Sequence, residues 1–358
     1  MNTQSNYRMI GLMSGTSGDG LDIAYCEFHL GSTWTYRLLH SQTVPFPPSL
    51  AESLSLAHHF AGEELTHLDI LFGKWMGQHV KEFCILYGLS PDAVASHGHT
   101  IFHQPERGVT LQIGNGWALH TTSGYPVITD FRSLDVMLGG QGAPLVPIGD
   151  RYLFREYDFC LNLGGISNIS MESEQGRIAF DICPFNLLLN AYAEKKGFKY
   201  DDRGHLAATG SVKVDLLEGL EKLPLYHSDN RKSLSREDLE AYYHPILDRY
   251  PATPEDLLAT LAEHFASQIS KVLLNYSTSS ASSLLVTGGG AYNDHFIQKL
   301  KERCGRRVNI VLPDRQLVDF KEALIFAFLG VLRIRNENNC LSSVTGASRD
   351  SCGGMFFG

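Results

Sequence analysis

A group of three short strands around a glycine-containing turn occurs twice in this chain, and this repeat constrains the fold more than any other feature. The first group comprises residues 10–14, 21–28 and 34–44, and the stretch SGTSGDG joins its first two runs. The second group surrounds the turn GGISN, with runs at 158–163, 166–171 and 177–182. Apolar and β-branched runs separated by turn residues predict strands, so we expect two β-meanders. Their repetition predicts two domains of similar architecture.

Helical patterns follow each meander. Apolar residues recur at helical spacing over residues 66–87 and 253–276, and the second helix begins with Thr253 as its cap and Pro254 at the first helical position. A last, mostly apolar helix is predicted at 320–335. Strands grouped first and helices after them, twice over, are typical of α/β domains with mixed sheets.

Shorter segments complete the pattern. A helix is predicted at 184–196, closed by Gly197, directly after the strand that ends at residue 182. Residues 283–287 form an apolar strand that runs into three successive glycines. The polar segment 224–240 predicts an exposed loop.

The bulk composition excludes some classes of partner. The chain has 358 residues, of which 43% are hydrophobic, enough for two hydrophobic cores. Its formal net charge of −9 offers no basic surface for nucleic acid. No run approaches the roughly 20 apolar residues of a membrane span, and the start MNTQSNYR lacks the order of a signal peptide. We therefore expect a cytoplasmic protein whose seven cysteines are small buried hydrophobes.

Glycine-rich turns at strand ends are the first candidate site. Gly15, Gly18 and Gly20 alternate with hydroxyl and acidic side chains, a composition that suits phosphate oxygens and an accompanying magnesium ion. A hairpin turn explains the same glycines without a ligand, and no lysine follows to complete the GxxxxGK[ST] loop. Similar turns at 162–168 and 288–290 favour phosphate binding, because α/β folds bind nucleotides at strand ends.

Two carboxylates could carry chemistry. Asp181 stands at the end of a predicted strand, where it would serve either as a helix or turn partner or as a general base. Glu322 shares a predicted helix face with apolar residues at i+3, i+4 and i+7. A carboxylate in such a place needs a partner or a polar cavity, although a position near the helix start explains it equally well.

A histidine-rich stretch and an arginine motif leave several interpretations open. The stretch SHGHTIFHQPE carries His97, His99 and His103. Their spacing is loose for a catalytic zinc site, so we favour polar substrate contacts or structural hydrogen bonds. In the DFR triplet, Arg132 could bind an anion, but pairing with Asp130 is the commoner outcome. The glycine-rich stretch 139–145 is predicted to be a hinge or linker between the halves.

Eight segments, in order over nearly the whole chain, resemble the anhydro-N-acetylmuramic acid kinase family. They are GLMSGTSGDGLD, SHGHTIFHQP, TDFRSLDVMLGGQGAPLVP, LNLGGISNIS, KSLSRE, VTGGGAYN, KEALIFAFLG and VTGAS. The resemblance implies a two-domain actin-like ATPase fold, which is a duplicated ribonuclease H-like α/β fold with a central cleft for ATP and Mg²⁺. It also implies a reaction of cell-wall sugar recycling. Water opens the internal bridge of 1,6-anhydro-N-acetylmuramic acid while ATP phosphorylates O6, giving N-acetylmuramic acid 6-phosphate and ADP.

The resemblance implies roles for particular residues. The glycine turns would contact ATP through Gly15, Thr16, Ser17, Gly18, Asp19, Gly20, Leu21, Asp22, Gly164, Gly165, Gly288, Gly289 and Gly290. Mg²⁺ would be held through the ATP phosphates and Asp19. Asp181 would be the base that activates water. His97, Arg132 and Glu322 would lie near the sugar.

Domain boundaries and one departure from the family pattern complete the prediction. We place one domain at 1–133 with 322–358 and the other at 134–321, and the resemblance implies a homodimer. The family motif FDTGPGN reads FDICPFN here, so Phe185 replaces a glycine. Its bulk could narrow the sugar pocket or alter backbone contacts. Two alternatives therefore stay open: a kinase of another amino sugar without ring hydrolysis, and an ATP-binding regulatory protein without catalysis.

Overall fold

The computed structural model describes residues 4–15, 20–174, 176–227, 234, 236–278 and 281–358. The chain forms two compact units. The first unit comprises Met1–Phe154, Glu174–Arg177 and Phe320–Gly358, and the second comprises Arg155–Ser173 and Ile178–Asp319. The domain boundaries at 133/134 and 321/322 stay a prediction; the compact units change at 154/155 and 319/320.

Each unit begins with three consecutive strands, and helices and further strands follow them. The strands are β1 (Asn6–Ser14), β2 (Gly20–Leu30), β3 (Trp34–Pro45), β4 (Ala93–Ser96), β5 (His99–Gln104), β6 (Val109–Ile113), β7 (Val127–Thr129), β8 (Phe159–Leu163), β9 (Ile166–Ser173), β10 (Gly176–Pro184), β11 (Ser282–Thr287), β12 (Val308–Val311) and β13 (Met355–Phe357). The α-helices are α1 (Pro48–Leu56), α2 (Gly62–Tyr87), α3 (Gly116–Ser123), α4 (Ser133–Met137), α5 (Val146–Leu153), α6 (Asn186–Glu194), α7 (His205–Thr209), α8 (Val214–Glu221), α9 (Arg236–Asp238), α10 (His244–Leu247), α11 (Pro254–Tyr276), α12 (Asp294–Cys304), α13 (Arg315–Arg335) and α14 (Ser342–Thr345).

The sheet of the first unit has the strand order β13-β7-β4-β1-β2-β3. Strands β1, β2 and β3 form the predicted antiparallel meander, in which Ser14 lies opposite Leu21. Strand β4 pairs parallel with β1, and β7 pairs parallel with β4. The carboxyl ends of these three parallel strands therefore lie at one edge of the sheet.

The sheet of the second unit has the order β10-β9-β8-β11-β12. Strands β8 and β9 are antiparallel, whereas β11 pairs parallel with both β8 and β12. Asn162 near the end of β8 lies beside Thr287 at the end of β11. The turns that follow these two strands are therefore neighbours at the carboxyl edge.

The two sheets have the same topology, since each adds its parallel strands beside the first strand of a meander. This is the ribonuclease H-like arrangement in two copies. The predicted fold class, a duplicated α/β fold of the actin-like kind, is confirmed by this topology, and both predicted meanders are confirmed strand by strand.

The long helices begin and end close to the predicted positions. Helix α11 begins at Pro254, and the Thr253 hydroxyl accepts a hydrogen bond from the Asp256 N–H at 3.2 Å, as expected of a cap. Helix α2 begins at Gly62 rather than at residue 66, and α13 begins at Arg315 rather than at residue 320. Helix α2 extends further towards the N-terminus because its first residues, Gly62, Glu63 and Glu64, carry no apolar signal, whereas α13 adds the apolar residues Leu317 and Val318 to the predicted range.

Helix α13 packs directly on the sheet of the first unit. At Gly11 of β1, a Cβ atom would collide with the carbonyl oxygen of Ala323, and at Gly330 a Cβ atom would lie 2.7 Å from the Cβ of Ala95. Glycine at both positions permits this close approach. The packing brings the neighbours of Ala323, including Glu322, to the central strands of the sheet.

One predicted helix is confirmed with shifted bounds, and one predicted loop is wrong at both of its ends. Strand β10 continues to Pro184, and the helix spans Asn186–Glu194 instead of 184–196, because the Ser167 hydroxyl holds both the N–H and the carbonyl of Cys183 in the strand. The segment 224–240 is helical at both ends, with a 3₁₀ turn at Pro224–Tyr226 and α9 at Arg236–Asp238, and so is not simply an exposed loop.

All seven cysteines lie in the described residues and none forms a disulfide bond, and six of them are buried, as predicted. In the part of the chain that the structure describes, no helix is long and apolar enough to cross a membrane.

Candidate active site

Two glycine turns of the second unit meet at the carboxyl edge of its sheet. Gly164 and Gly165 join β8 to β9, and Gly288–Gly290 follow β11. At Gly288, φ is +82° and a Cβ atom would lie 2.9 Å from the backbone carbon of Leu163. At Gly290, a Cβ atom would lie 2.7 Å from the Cβ of Leu163. All five predicted glycines of this unit are therefore brought to one place.

Asn186, the first residue of α6, holds the turn between β8 and β9. Its side-chain amide donates to the Leu163 carbonyl at 3.1 Å, and its backbone N–H donates to the Gly164 carbonyl at 3.2 Å. Beside it there is open space: at Gly289 the nearest heavy atom to a Cβ atom is Asn186 Nδ2, at 3.7 Å. Bare backbone next to an open space suits the close approach of a nucleotide.

Gly289→Ala separates a folding role of this turn from a binding role. Its methyl group meets no atom closer than 3.7 Å, so the melting temperature is expected to stay unchanged. The methyl group occupies the space beside the turn, so KM for ATP, the nucleotide that the family resemblance implies, is expected to rise about tenfold, equivalent to about 1.4 kcal/mol. Steady-state kinetics with varied ATP measure this effect. Gly219→Ala in α8, where the added methyl group meets no atom within 4 Å, is the control and should leave KM unchanged.

Phe185 packs in the core of the second unit, whereas its place in the family motif raised the possibility that it narrows the sugar pocket. Its side chain is fully buried and its ring packs against Phe265 and Phe296, with centroid distances of 5.7 and 4.6 Å. A Cβ atom at Gly290 would collide with the same ring. Phe185 is thus a core residue, and its ring packs against the turn Gly288–Gly290.

Asp181 lies within β10 rather than at its end, and it is half-buried. Burial raises the pKa of its carboxyl to about 6, and the backbone N–H of Leu234, which donates to Oδ2 at 2.8 Å, opposes this shift. The alternative role as a helix partner is wrong, since α6 begins at Asn186 and Asp181 makes no contact there among the described residues. A half-buried carboxylate with a pKa near neutrality has the properties of a general base.

In the first unit, the predicted phosphate loop follows β1. Residues Thr16, Ser17, Gly18 and Asp19 lie outside the described residues. Around them, Gly15 follows Ser14, whose hydroxyl is 2.8 Å from His99 Nδ1. The side chain of Leu21 is fully buried in the core, so any contact of this residue with a ligand would involve its backbone. Asp22 accepts a hydrogen bond from the Thr43 hydroxyl at 2.6 Å.

Arg132 and His97 form a fixed pair at the carboxyl edge of the first sheet. Arg132 donates from Nε at 3.1 Å and from Nη2 at 2.9 Å to His97 Nε2. His97 Nδ1 lies 2.9 Å from the Gly98 carbonyl, which requires its proton on Nδ1. Burial and the charge of Arg132 hold the pKa of His97 well below its usual value, so this imidazole is neutral. Arg132 pairs with His97 and not with Asp130, whose carboxylate accepts from the Ser133 N–H instead.

Glu322 lies in a charged environment rather than an apolar one. Burial raises the pKa of its carboxyl, the charge of Lys321 lowers it, and the charge of Asp22 raises it. The charge of Glu322 also raises the pKa of Arg132, against the burial that lowers that pKa to about 10. Because α13 begins at Arg315, Glu322 lies beyond the first turn and the helix-dipole explanation is wrong. Arg132, His97 and Glu322 therefore belong to one polar region of the first unit, and their contact with the sugar stays a prediction.

A buried ionic group next to Glu322 was not foreseen from the sequence. Lys321 Nζ lies 2.7 Å from Asp150 Oδ1, and Arg177 Nη2 lies 4.0 Å from Asp150 Oδ2, with all three side chains buried. A lysine that begins the apolar run KEALIFAFLG is the signal that could have revealed it, since an inward-facing charge needs a partner. The ion pair with Asp150 holds Lys321, the residue that precedes Glu322, in place.

No metal centre is formed by the described residues. Among them, no three His, Cys, Asp or Glu side chains come close enough to hold a metal ion, so the zinc interpretation of His97, His99 and His103 finds no support. Mg²⁺ in phosphate-transferring sites needs only one or two carboxylates, because the phosphates and water supply its other ligands. The carboxylates of the described residues are compatible with an Mg²⁺ ion that binds together with the phosphates of a nucleotide.

These features define a class of protein. A duplicated ribonuclease H-like fold with two glycine turns at the carboxyl edge of the second sheet and a half-buried carboxylate of raised pKa is typical of actin-like phosphotransferases.

Comparison with known proteins identifies the family. The family model described as anhydro-N-acetylmuramic acid kinase matches residues 7–358. The chain is 35% identical to the anhydro-N-acetylmuramic acid kinase of Nitrosomonas europaea, over 95% of this chain and 96% of that one. It is also 35% identical to that of Pseudomonas putida, over 89% and 91%. The chain belongs to the anhydro-N-acetylmuramic acid kinase family and is an ATP-dependent sugar kinase.

A solved structure gives a more distant similarity. The ROK hexokinase of Thermus thermophilus is 14% identical, with a TM-score of 0.40, over 90% of this chain and 99% of that one.

Proposed function

We propose that this protein uses ATP to phosphorylate 1,6-anhydro-N-acetylmuramic acid while water opens the anhydro ring, giving N-acetylmuramic acid 6-phosphate and ADP. The observation that carries the proposal is the match of the family model over residues 7–358. The half-buried carboxylate of Asp181 supports it, since the pKa of about 6 suits a base that takes a proton from water near neutral pH.

The proposed reaction begins at the anomeric carbon. Asp181 takes a proton from a water molecule as the water oxygen bonds to C1, and the bond between C1 and O6 breaks. The released O6 bonds to the γ-phosphorus of ATP, and the bond to the β-γ bridging oxygen breaks to release ADP. The proton taken by Asp181 passes to solvent. The two bonds formed balance the two bonds broken.

The other residues bind and orient the reactants in this proposal. The glycine turns Gly164–Gly165 and Gly288–Gly290 present backbone to the nucleotide, and residues 15–22 are predicted to contact its phosphates. Arg132 and Glu322 bind polar groups of the sugar, and His97 fixes the plane of the Arg132 guanidinium through two hydrogen bonds. Phosphoryl transfer depends mainly on such positioning and on neutralised charge.

Mg²⁺ is part of the proposal. When it is bound to the ATP phosphates, it neutralises charge that develops during transfer. Asp19 is the carboxylate predicted to hold it, and Asp19 lies outside the described residues. The homodimer and the cytoplasmic location implied by the family belong to the same proposal, and sedimentation of the purified protein tests the first of these.

A coupled assay tests the function. The purified protein is incubated with ATP, Mg²⁺ and 1,6-anhydro-N-acetylmuramic acid in ¹⁸O-labelled water, and the product is analysed by mass spectrometry. We expect sugar-dependent release of ADP and one ¹⁸O atom in the sugar 6-phosphate. ADP release without label would favour a kinase reaction without ring hydrolysis. ATP binding without any turnover would contradict an enzymatic function.

The pH dependence of kcat/KM reports the ionisation of Asp181. The base accepts a proton only when ionised, so activity is lost as the pH falls through its pKa in the folded protein, about 6. We expect kcat/KM for the sugar to be level above this value and to fall about tenfold per pH unit below it.

Leu234→Pro makes the same test more specific. This change removes the N–H that donates to Asp181 Oδ2 at 2.8 Å. Because that hydrogen bond stabilises the ionised carboxylate, its loss is expected to move the acidic limb of the profile to higher pH. Leu234→Ala retains the N–H and is the matched control. Identical profiles for the parent, Leu234→Pro and Leu234→Ala would argue against Asp181 as the titrating base.

A further inference from the structure

The glycine-rich stretch 139–145 is folded against Arg132. The Gly142 carbonyl accepts a hydrogen bond from Arg132 Nη1 at 2.8 Å. The N–H of the same residue donates to Asp135 Oδ2 at 2.7 Å. Gly142 therefore connects a buried carboxylate to the guanidinium that pairs with His97.

Asp135 is held by donors on both of its oxygens. Its Oδ1 accepts hydrogen bonds from the Thr345 hydroxyl at 2.7 Å and from the Cys340 thiol at 3.1 Å, while Oδ2 accepts from Gly142. The side chain is only 1% exposed. A carboxylate buried to this degree is costly unless its hydrogen bonds are made. These three donors fix its orientation, and through Gly142 N–H they fix the stretch.

The backbone of the stretch fits only around this carboxylate. At Gly142, φ is +66° and a Cβ atom would lie 2.7 Å from Val136 Cγ2. At Gly140, a Cβ atom would collide with Asp135 Oδ2. The stretch 139–145, predicted to be a hinge or linker between the halves, is therefore tightly packed within the first unit. Its glycines are required by close packing and by a left-handed backbone.

We propose that Asp135 is a positioning residue for Arg132, acting through the Gly142 residue that it holds. Asp135 sets the position of the Gly142 carbonyl, that carbonyl anchors one arm of the guanidinium, and the remaining arms are thereby aimed at His97 and at the ligand of Arg132. The effect on catalysis rests on the proposed function, in which Arg132 binds the sugar. The effect on the geometry of Arg132 does not rest on the proposed function.

A double-mutant cycle between Asp135→Asn and Arg132→Ala tests the catalytic part. A small displacement of a positioning group can be very costly, so Asp135→Asn alone is expected to lower kcat/KM for the sugar about 10- to 100-fold, with KM for ATP unchanged. In the Arg132→Ala background the same change is expected to cost less than about twofold, because residues that act through one another are non-additive. Asp350→Asn, a carboxylate that accepts from Ser342, is the control.

Hydrogen exchange of the Arg132 Nε–H tests the geometric part without any substrate. In protein labelled with ¹⁵N-arginine, this signal is the one lost in Arg132→Ala. We expect its exchange to be at least tenfold faster in Asp135→Asn and in Gly142→Ala, and unchanged in Asp350→Asn. If Asp135→Asn does not fold, Thr345→Val removes one donor to the carboxylate and replaces it in both measurements.

The two failures are distinguishable. An equal loss of kcat/KM in both backgrounds, or unchanged exchange of the Arg132 signal, overturns the positioning role even if the parent enzyme turns over the anhydro sugar. A parent enzyme that is inactive on the anhydro sugar contradicts the proposed function, and the exchange measurement then decides the positioning role alone.

Discussion

Asp181→Asn is expected to lower turnover of 1,6-anhydro-N-acetylmuramic acid by about 10²- to 10⁴-fold, the range typical of a lost general base. The asparagine side chain has nearly the same shape and can still accept the Leu234 N–H at Oδ1, so the site should keep its structure. ATP affinity, measured by calorimetry in the absence of sugar, is expected to stay within about twofold of the parent value, because the carboxylate is assigned to the water and not to the nucleotide.

The control for this variant is Asp248→Asn. Asp248 lies in the same unit but is exposed, with its carboxylate 3.6 Å from Lys195 Nζ, so its loss should leave turnover unchanged. A change of ATP affinity in Asp181→Asn as large as the change in turnover would place the residue at the nucleotide instead. Undiminished turnover would exclude Asp181 as the base.

Phe185→Ala is expected to have the largest effect on stability. Removing a fully buried phenyl ring from between Phe265 and Phe296 loses burial and leaves a cavity, at a cost of about 3–5 kcal/mol in the free energy of unfolding. For a unit of this size, this corresponds to a melting temperature lower by roughly 10 °C. Because the ring also supports Gly290, KM for ATP is expected to rise at temperatures where the variant is folded.

Phe198→Ala is the matched control, since Phe198 is 54% exposed in the same unit and its loss should change the free energy of unfolding by less than about 0.5 kcal/mol. The departure from the family motif makes a competing prediction. If Phe185 narrowed the sugar pocket, its truncation would leave the melting temperature unchanged and widen the range of sugars accepted. Differential scanning fluorimetry and a sugar panel together decide between these outcomes.

Local sequence patterns were sufficient to predict the architecture. Alternating strands and helical periodicity are set by which face of each element is buried, so the two meanders and the helix after Thr253 could be predicted within a few residues. The glycine turns were also accessible, because positive φ and close approach leave few residues other than glycine. Gly288, with φ of +82° beside β8, is an example.

Pairing over long sequence distances could not be predicted in this way. Pro184 suggested a helix start, yet hydrogen bonds from Ser167 keep Cys183 in a strand. Arg132 has Asp130 as a neighbour in sequence, yet it bonds to His97, which lies 35 positions away. Which of several polar groups becomes the partner is decided by tertiary packing, and a single sequence does not reveal it.

The division of the chain has a consequence for the order in which it folds during synthesis. The second unit is encoded almost without interruption by Arg155–Ser173 and Ile178–Asp319, whereas the first unit needs Phe320–Gly358 as well as its own N-terminal part. Helix α13 covers β1 at Gly11. The strands that leave the ribosome first therefore lack this packing partner until one of the last helices has been synthesised. The later-made unit is therefore expected to close first, with the N-terminal meander exposed to chaperones until translation ends.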